Sequence, residues 1–97
     1  MEFGLTEVTY NKIKELVKKY SNYTFKIFGS RARGDYKKGS DIDIAVEGCT
    51  DSKEKFNIMN DVDLLDTPYQ IDLVFVEDIK KQEFLKSIER DGKKINE

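Results

Sequence analysis

The chain has 97 residues, 17 basic against 19 acidic for a net charge of −2, a 38% hydrophobic content, one cysteine and no histidine. That length is the usual allotment of one domain with one modest core, so residues 1–97 are expected to form a single domain. The balanced charge excludes a broad electrostatic surface for nucleic acid or anionic membrane, and direct polynucleotide binding is not expected. Lack of histidine removes catalytic triads, imidazole acid–base chemistry and the common zinc sites. Cys49 alone excludes an internal disulfide framework and fits a reducing cytoplasm, and no run of the chain has the apolar length of a signal peptide or a membrane span. Any catalysis here must use carboxylates, hydroxyls, solvent cations or backbone.

From Thr6 to Tyr20, apolar Tyr10, Ile13, Leu16, Val17 and Tyr20 recur at spacings of three and four, which predicts an amphipathic helix with Thr6 as N-cap. Tyr23 to Phe28 is aromatic and β-branched, bounded by Ser21-Asn22 and Gly29, and predicts a strand. Gly29 to Ser40 is a basic, glycine-punctuated loop with room for a helical turn. Asp41 to Val46 alternates, with Ile42, Ile44 and Val46 on one face and Asp41, Asp43 and Ala45 on the other. Asp51 to Asp66 predicts a helix capped by Asp51 or Ser52, burying Phe56, Ile58, Met59, Val62 and Leu65 and closed by Thr67-Pro68. Gln70 to Val76 is a strand with Ile71, Leu73 and Phe75 opposite Asp72, Val74 and Val76. A last helix, about Ile79 to Glu89, buries Phe84, Leu85 and Ile88.

Two strands therefore carry aspartate on a face that is otherwise apolar or small: Asp41 and Asp43 on one, Asp72 on the next. Clustered carboxylates repel in a partly dry site, so their pKa values rise or a multivalent cation neutralises them, and hard oxygen ligands select magnesium or manganese. The competing reading is a set of solvent-facing residues at a half-exposed edge. Asp61-Val62-Asp63 is an internal control: residues two apart on a helix diverge, so Asp61, Asp63 and Asp66 belong to a solvated helical face. Upstream, Gly29-Ser30-Arg31-Ala32-Arg33-Gly34 leaves a strand. Glycine there admits a phosphate to the backbone, the following amides and the Ser30 hydroxyl can donate to it, and Arg31 and Arg33 can add charge-assisted contacts. A P-loop is rejected because no lysine stands between Gly39 and Ser40.

Gly29-Ser30, ten residues, then Asp41-Ile42-Asp43, with Asp72 on a later strand, resembles the active-site pattern of the DNA polymerase β-like nucleotidyltransferases. The string GSRARGDYKKGSDIDIAV is similar to the minimal nucleotidyltransferases that pair with HEPN-domain proteins in toxin–antitoxin modules, and the resemblance runs through the final IERDGKKINE. Tyr36 departs from it, since many relatives carry a small residue there. The resemblance implies an α+β (mixed α/β) fold, a small mixed sheet with helices packed on one face. It also implies AMP transfer from ATP to a protein hydroxyl, a tyrosine of a HEPN ribonuclease toxin, which makes the chain a type VII antitoxin. Asp41, Asp43 and Asp72 would be the catalytic metal ligands for two Mg2+ (or Mn2+) ions. Gly29, Ser30, Arg31, Arg33 and Ser40 would face the nucleotide, and Asp72 would take the acceptor's proton.

A chain this short leaves no space for an acceptor domain, so a partner is expected to bring that surface. Two other readings stand beside this one: an antitoxin that neutralises by contact with a vestigial site, and a small-molecule nucleotidyltransferase working with a helical partner subunit. The three intact aspartates favour the catalytic reading over the first of these, because unneutralised clustered carboxylates cost stability. Homo-oligomer and hetero-oligomer both remain open.

Overall fold

Helical periodicity at the amino terminus translates directly into structure. In the computed structural model, which describes residues 2–95, helix α1 spans Glu7–Lys19. The Thr6 hydroxyl accepts the Thr9 N–H at 3.3 Å, a cap worth about 1 kcal/mol. Tyr10, Ile13, Leu16, Val17 and Tyr20 are all buried, as the spacing predicts. Met1, Asn96 and Glu97, which the expected domain includes, lie outside the described residues.

Strands β1 (Thr24–Phe28), β2 (Ile42–Glu47), β3 (Ile71–Phe75) and β4 (Lys93–Lys94) form one sheet in the order β3-β2-β1-β4. β1 is antiparallel to both β2 and β4, whereas β2 and β3 are parallel. A parallel pair needs a crossover, and helix α3 (Ser52–Asp63) supplies it. The fold is the expected mixed one: α1, α3, the short α2 (Ser30–Arg33) and α4 (Gln82–Asp91) accompany a four-stranded mixed sheet. No helix among the described residues is long and apolar enough to cross a membrane.

The period of two sorts the strands into two faces. Phe25, Ile27, Ile42, Ile44 and Val46 pack with α1 and α3 in the main core, joined by Ile71 and Leu73. On the opposite face Phe28 and Ala45, with Val74 and Val76, meet Ile88 and Phe84 of α4. Helices thus cover both faces, not the one expected. The reason is that Phe28, Ala45 and Val74 put apolar side chains on the second face as well, and α4 removes them from water.

Several expectations change in the folded chain. Phe56 and Met59 are 66% and 51% exposed, so the buried stripe of α3 narrows to Ile58 and Val62 with Leu65 beyond it. At about 100° per residue, Phe56 and Met59 point well away from the Ile58 direction that meets the sheet. The helix also ends at Asp63 rather than Asp66, tightening so that the Leu65 N–H reaches the Val62 carbonyl at 3.1 Å. Asp61 is no solvated face residue: it accepts from the Tyr20 hydroxyl at 2.5 Å and from Lys19 Nζ at 2.8 Å, fastening α3 to α1. Finally, the last helix begins at Gln82, after a 3-10 turn over Val76–Asp78, and is followed by β4, whose lysines gave no strand signal. Ile95 beyond it is buried, with its N–H on the Phe25 carbonyl at 2.9 Å.

Candidate active site

The site is assembled where β1 ends and β2 and β3 begin. Asp43 stands opposite Phe28 on one side and Asp72 on the other, so the parallel register sets the two carboxylate-bearing residues side by side on the α4 face of the sheet. Asp41 sits just before β2 and is exposed, as is Asp72, while Asp43 is half-buried. Burial pushes the Asp43 carboxyl above its usual range, the negative charges of Asp72 and Asp41 push it further, and the Arg33 cation opposes them. Among the described residues no three acidic or cysteine side chains stand close enough together to hold a metal ion. Asp43 and Asp72 are paired on neighbouring strands with Asp41 just ahead of β2, and carboxylate oxygens of this kind are the hard ligands that magnesium or manganese takes.

Gly29 connects this cluster to the segment that follows β1. Its φ of 72° and ψ of −154° are open to glycine alone, and a Cβ there would collide with Asp43 Oδ2. The chain can therefore bring the start of α2 directly against the carboxylate. Gly29 is the N-cap residue of α2, its carbonyl accepting the Ala32 and Arg33 N–H groups at 3.1 and 3.0 Å. Ser30 follows at the first position of that turn, half-buried.

The two arginines part company. Arg31 is 2% exposed and turned into the loop, with Nε and Nη2 on the Ser40 carbonyl at 3.1 and 2.8 Å and Nη1 on the Phe3 carbonyl at 2.9 Å. Its guanidinium also lies over the rings of Tyr36 and Tyr69, 5.1 and 4.8 Å from their centroids. Arg31 thus shapes the loop from within, and Tyr36, the departure from the family pattern, is part of its enclosure. Ser40 is used similarly: its hydroxyl accepts the Lys37 N–H at 2.8 Å, closing the turn that delivers Asp41. Arg33 instead stays at the surface, and its charge acts on Asp43. Sequence reasoning did not find Asp91, at the end of α4, which pairs with Arg33 at 3.4 Å. An open groove beside Asp41 is lined by Lys38, Gly39, Pro68, Tyr69 and Gln70.

A mixed sheet that aligns aspartates on adjacent parallel strands, next to a glycine-opened helical turn, is the frame of a nucleotidyltransferase. Residues 11–97 match the family model described as Polymerase beta, Nucleotidyltransferase, and the chain belongs to that family. A search of curated proteins finds no match. Among solved structures, the chain is similar to a toxin–antitoxin crystallised with AMP-PNP, at 25% identity and a TM-score of 0.65, covering 90% of this chain and 72% of that one. It is also similar to the toxin–antitoxin MntA-HepT, at 22% identity and a TM-score of 0.60, covering 94% of this chain and 72% of that one; this likeness is one of fold.

Proposed function

We propose that this chain is a magnesium-dependent protein adenylyltransferase that moves AMP from ATP to a tyrosine hydroxyl of a HEPN ribonuclease partner, and so acts as an antitoxin in the cytoplasm. The observation that carries the reading is the register of Asp43 on Asp72, with Asp41 beside them and Gly29 against the Asp43 carboxylate. Membership of the nucleotidyltransferase family supports transfer, and the likeness to a toxin–antitoxin bound to AMP-PNP supports an adenine nucleotide and a protein partner.

In this scheme Asp41, Asp43 and Asp72 hold two divalent ions, which when bound would stabilise charge on the attacking and leaving oxygens. Gly29 and Ser30 receive the β- and γ-phosphates at the opening of α2. The acceptor oxygen bonds to the α-phosphorus as the bond from that phosphorus to the bridging oxygen breaks, and pyrophosphate leaves with that electron pair. Asp72, exposed at the start of β3, takes the hydroxyl proton. The groove between Gly39 and Tyr69 gives the acceptor a path to this centre. Arg31 and Ser40 serve the nucleotide through the loop they hold.

Incubation with ATP, magnesium and a co-encoded HEPN protein should add whole AMP units to the partner's mass. Asp43→Asn should abolish that addition and, by relieving a half-buried charge repelled by its neighbours, leave the metal-free protein at least as stable as the parent. Neutralisation of the partner by Asp43→Asn with no added mass would establish the contact antitoxin instead; AMP transfer to a small molecule alone would establish the third reading.

A further inference from the structure

We infer that Asp91 is the positioning residue for Arg33, holding its guanidinium at the edge of the carboxylate cluster so that it meets the donor triphosphate already ordered. This rests on the nucleotidyl-transfer reading above. Arg33 closes α2, and its Nε donates to Asp35 Oδ2 at 3.2 Å while Nη1 donates to Asp91 Oδ2 at 3.4 Å. No protein partner of Nη2 is found among the described residues, which leaves that nitrogen for a ligand. Of the two carboxylates, Asp35 is a 63% exposed loop residue, whereas the Asp91 side chain is only 10% exposed and therefore less screened by solvent.

Asp91 also stands where helix electrostatics disfavour it. It is the last residue of α4, at the negative end of the helix dipole. A shielded carboxylate there needs cations. Arg90 beside it supplies one, at 3.1 Å and 70% exposed, and Arg33 from the other end of the site supplies the second. The place of Asp91 is set on both sides. Before it, Ile88 and Phe84 pack on Phe28; after it, the Gly92 N–H bonds the Ile88 carbonyl at 2.7 Å and β4 pairs with Lys26 and Ile27 of β1. The packing before Asp91 and the pairing after it thereby set where its carboxylate meets Arg33 at the end of α2.

The test is calorimetric binding of ATP with magnesium to the whole chain. Asp91→Asn removes a negative charge near a site for a polyanion, so general electrostatics alone would tighten binding, whereas loss of positioning loosens it by about five- to tenfold. Asp91→Glu keeps the charge and should restore most of the affinity, and Asp91→Asn should add little to the loss caused by Arg33→Ala. Arg33→Lys, at a 44% exposed site, keeps the fold and the charge but cannot span both carboxylates, and should loosen ATP to a similar degree even if Asp91→Asn does not fold. Unchanged or tighter binding in Asp91→Asn or Arg33→Lys overturns the inference while the transfer reading stands. Absence of ATP binding by the parent chain overturns both.

Discussion

Gly29→Ala probes the joint between the loop and the carboxylates. At φ 72° and ψ −154° an alanine sits in a region that costs about 1–3 kcal/mol. The new methyl would also take the place of Asp43 Oδ2, so the carboxylate must rotate away; with that displacement the expected loss is about 2–4 kcal/mol. Two internal controls separate these effects. Gly34, at φ 94° and ψ 2°, has nothing within 4 Å of where a methyl would stand, so its change to alanine should incur only the backbone cost of about 1–2 kcal/mol. Gly39 has neither a positive φ nor a neighbour within 4 Å, and Gly39→Ala should stay within about 0.5 kcal/mol of the parent. Urea denaturation of all three variants, repeated in an Asp43→Ala background, measures these costs. The excess of Gly29→Ala over Gly34→Ala should vanish once Asp43 is truncated, and magnesium-dependent ATP binding should be lost in Gly29→Ala but kept in Gly34→Ala. A Gly29→Ala protein that is no less stable than Gly34→Ala and still binds magnesium-ATP would refute the close approach of Gly29 to Asp43.

Two further changes test the scaffold. Asp61→Ala should cost about 1–3 kcal/mol at neutral pH by orphaning the buried Tyr20 hydroxyl. Lys19, then Tyr20, holds the Asp61 carboxyl below its ordinary 3.8, so the charge-dependent part of this contribution is present above pH 3.8 and fades as pH falls through the lower folded value; the gap between parent and variant urea curves should narrow there. Burial, then the Asp61 contact, raises Tyr20 to about 12, so its share is present below its ordinary 10.0 and is lost as pH rises through 12; ultraviolet titration should show that late tyrosine moving down in Asp61→Ala. Arg31→Lys should lose about 2 kcal/mol in urea denaturation, because an ammonium lacks the planar fork whose three nitrogens reach the Phe3 and Ser40 carbonyls between the Tyr36 and Tyr69 rings; a variant as stable as the parent would refute the role of Arg31 as the loop's internal brace.

What the sequence determined by itself follows from local periodicity. The 3.6-residue stripe of α1, the alternation of β2 and β3 and the divergence of Asp61 from Asp63 on a helix need only neighbours in the chain. The same alternation set Asp43 and Asp72 on matching faces, and the glycine after β1 marked the turn beside them. Tertiary structure decided whatever depends on residues distant in sequence. Phe56 and Met59 are as apolar as Ile58, but one sheet can meet only one side of α3. Two lysines carry no strand signal until β1 offers them an open edge. Arg31 and Arg33 are chemically alike and two residues apart, yet on a helical turn they point in different directions. One is drawn inward by the carbonyls of Phe3 and Ser40, and the other is left at the site with Asp91, a residue that only the packing of α4 on Phe28 brings within its reach.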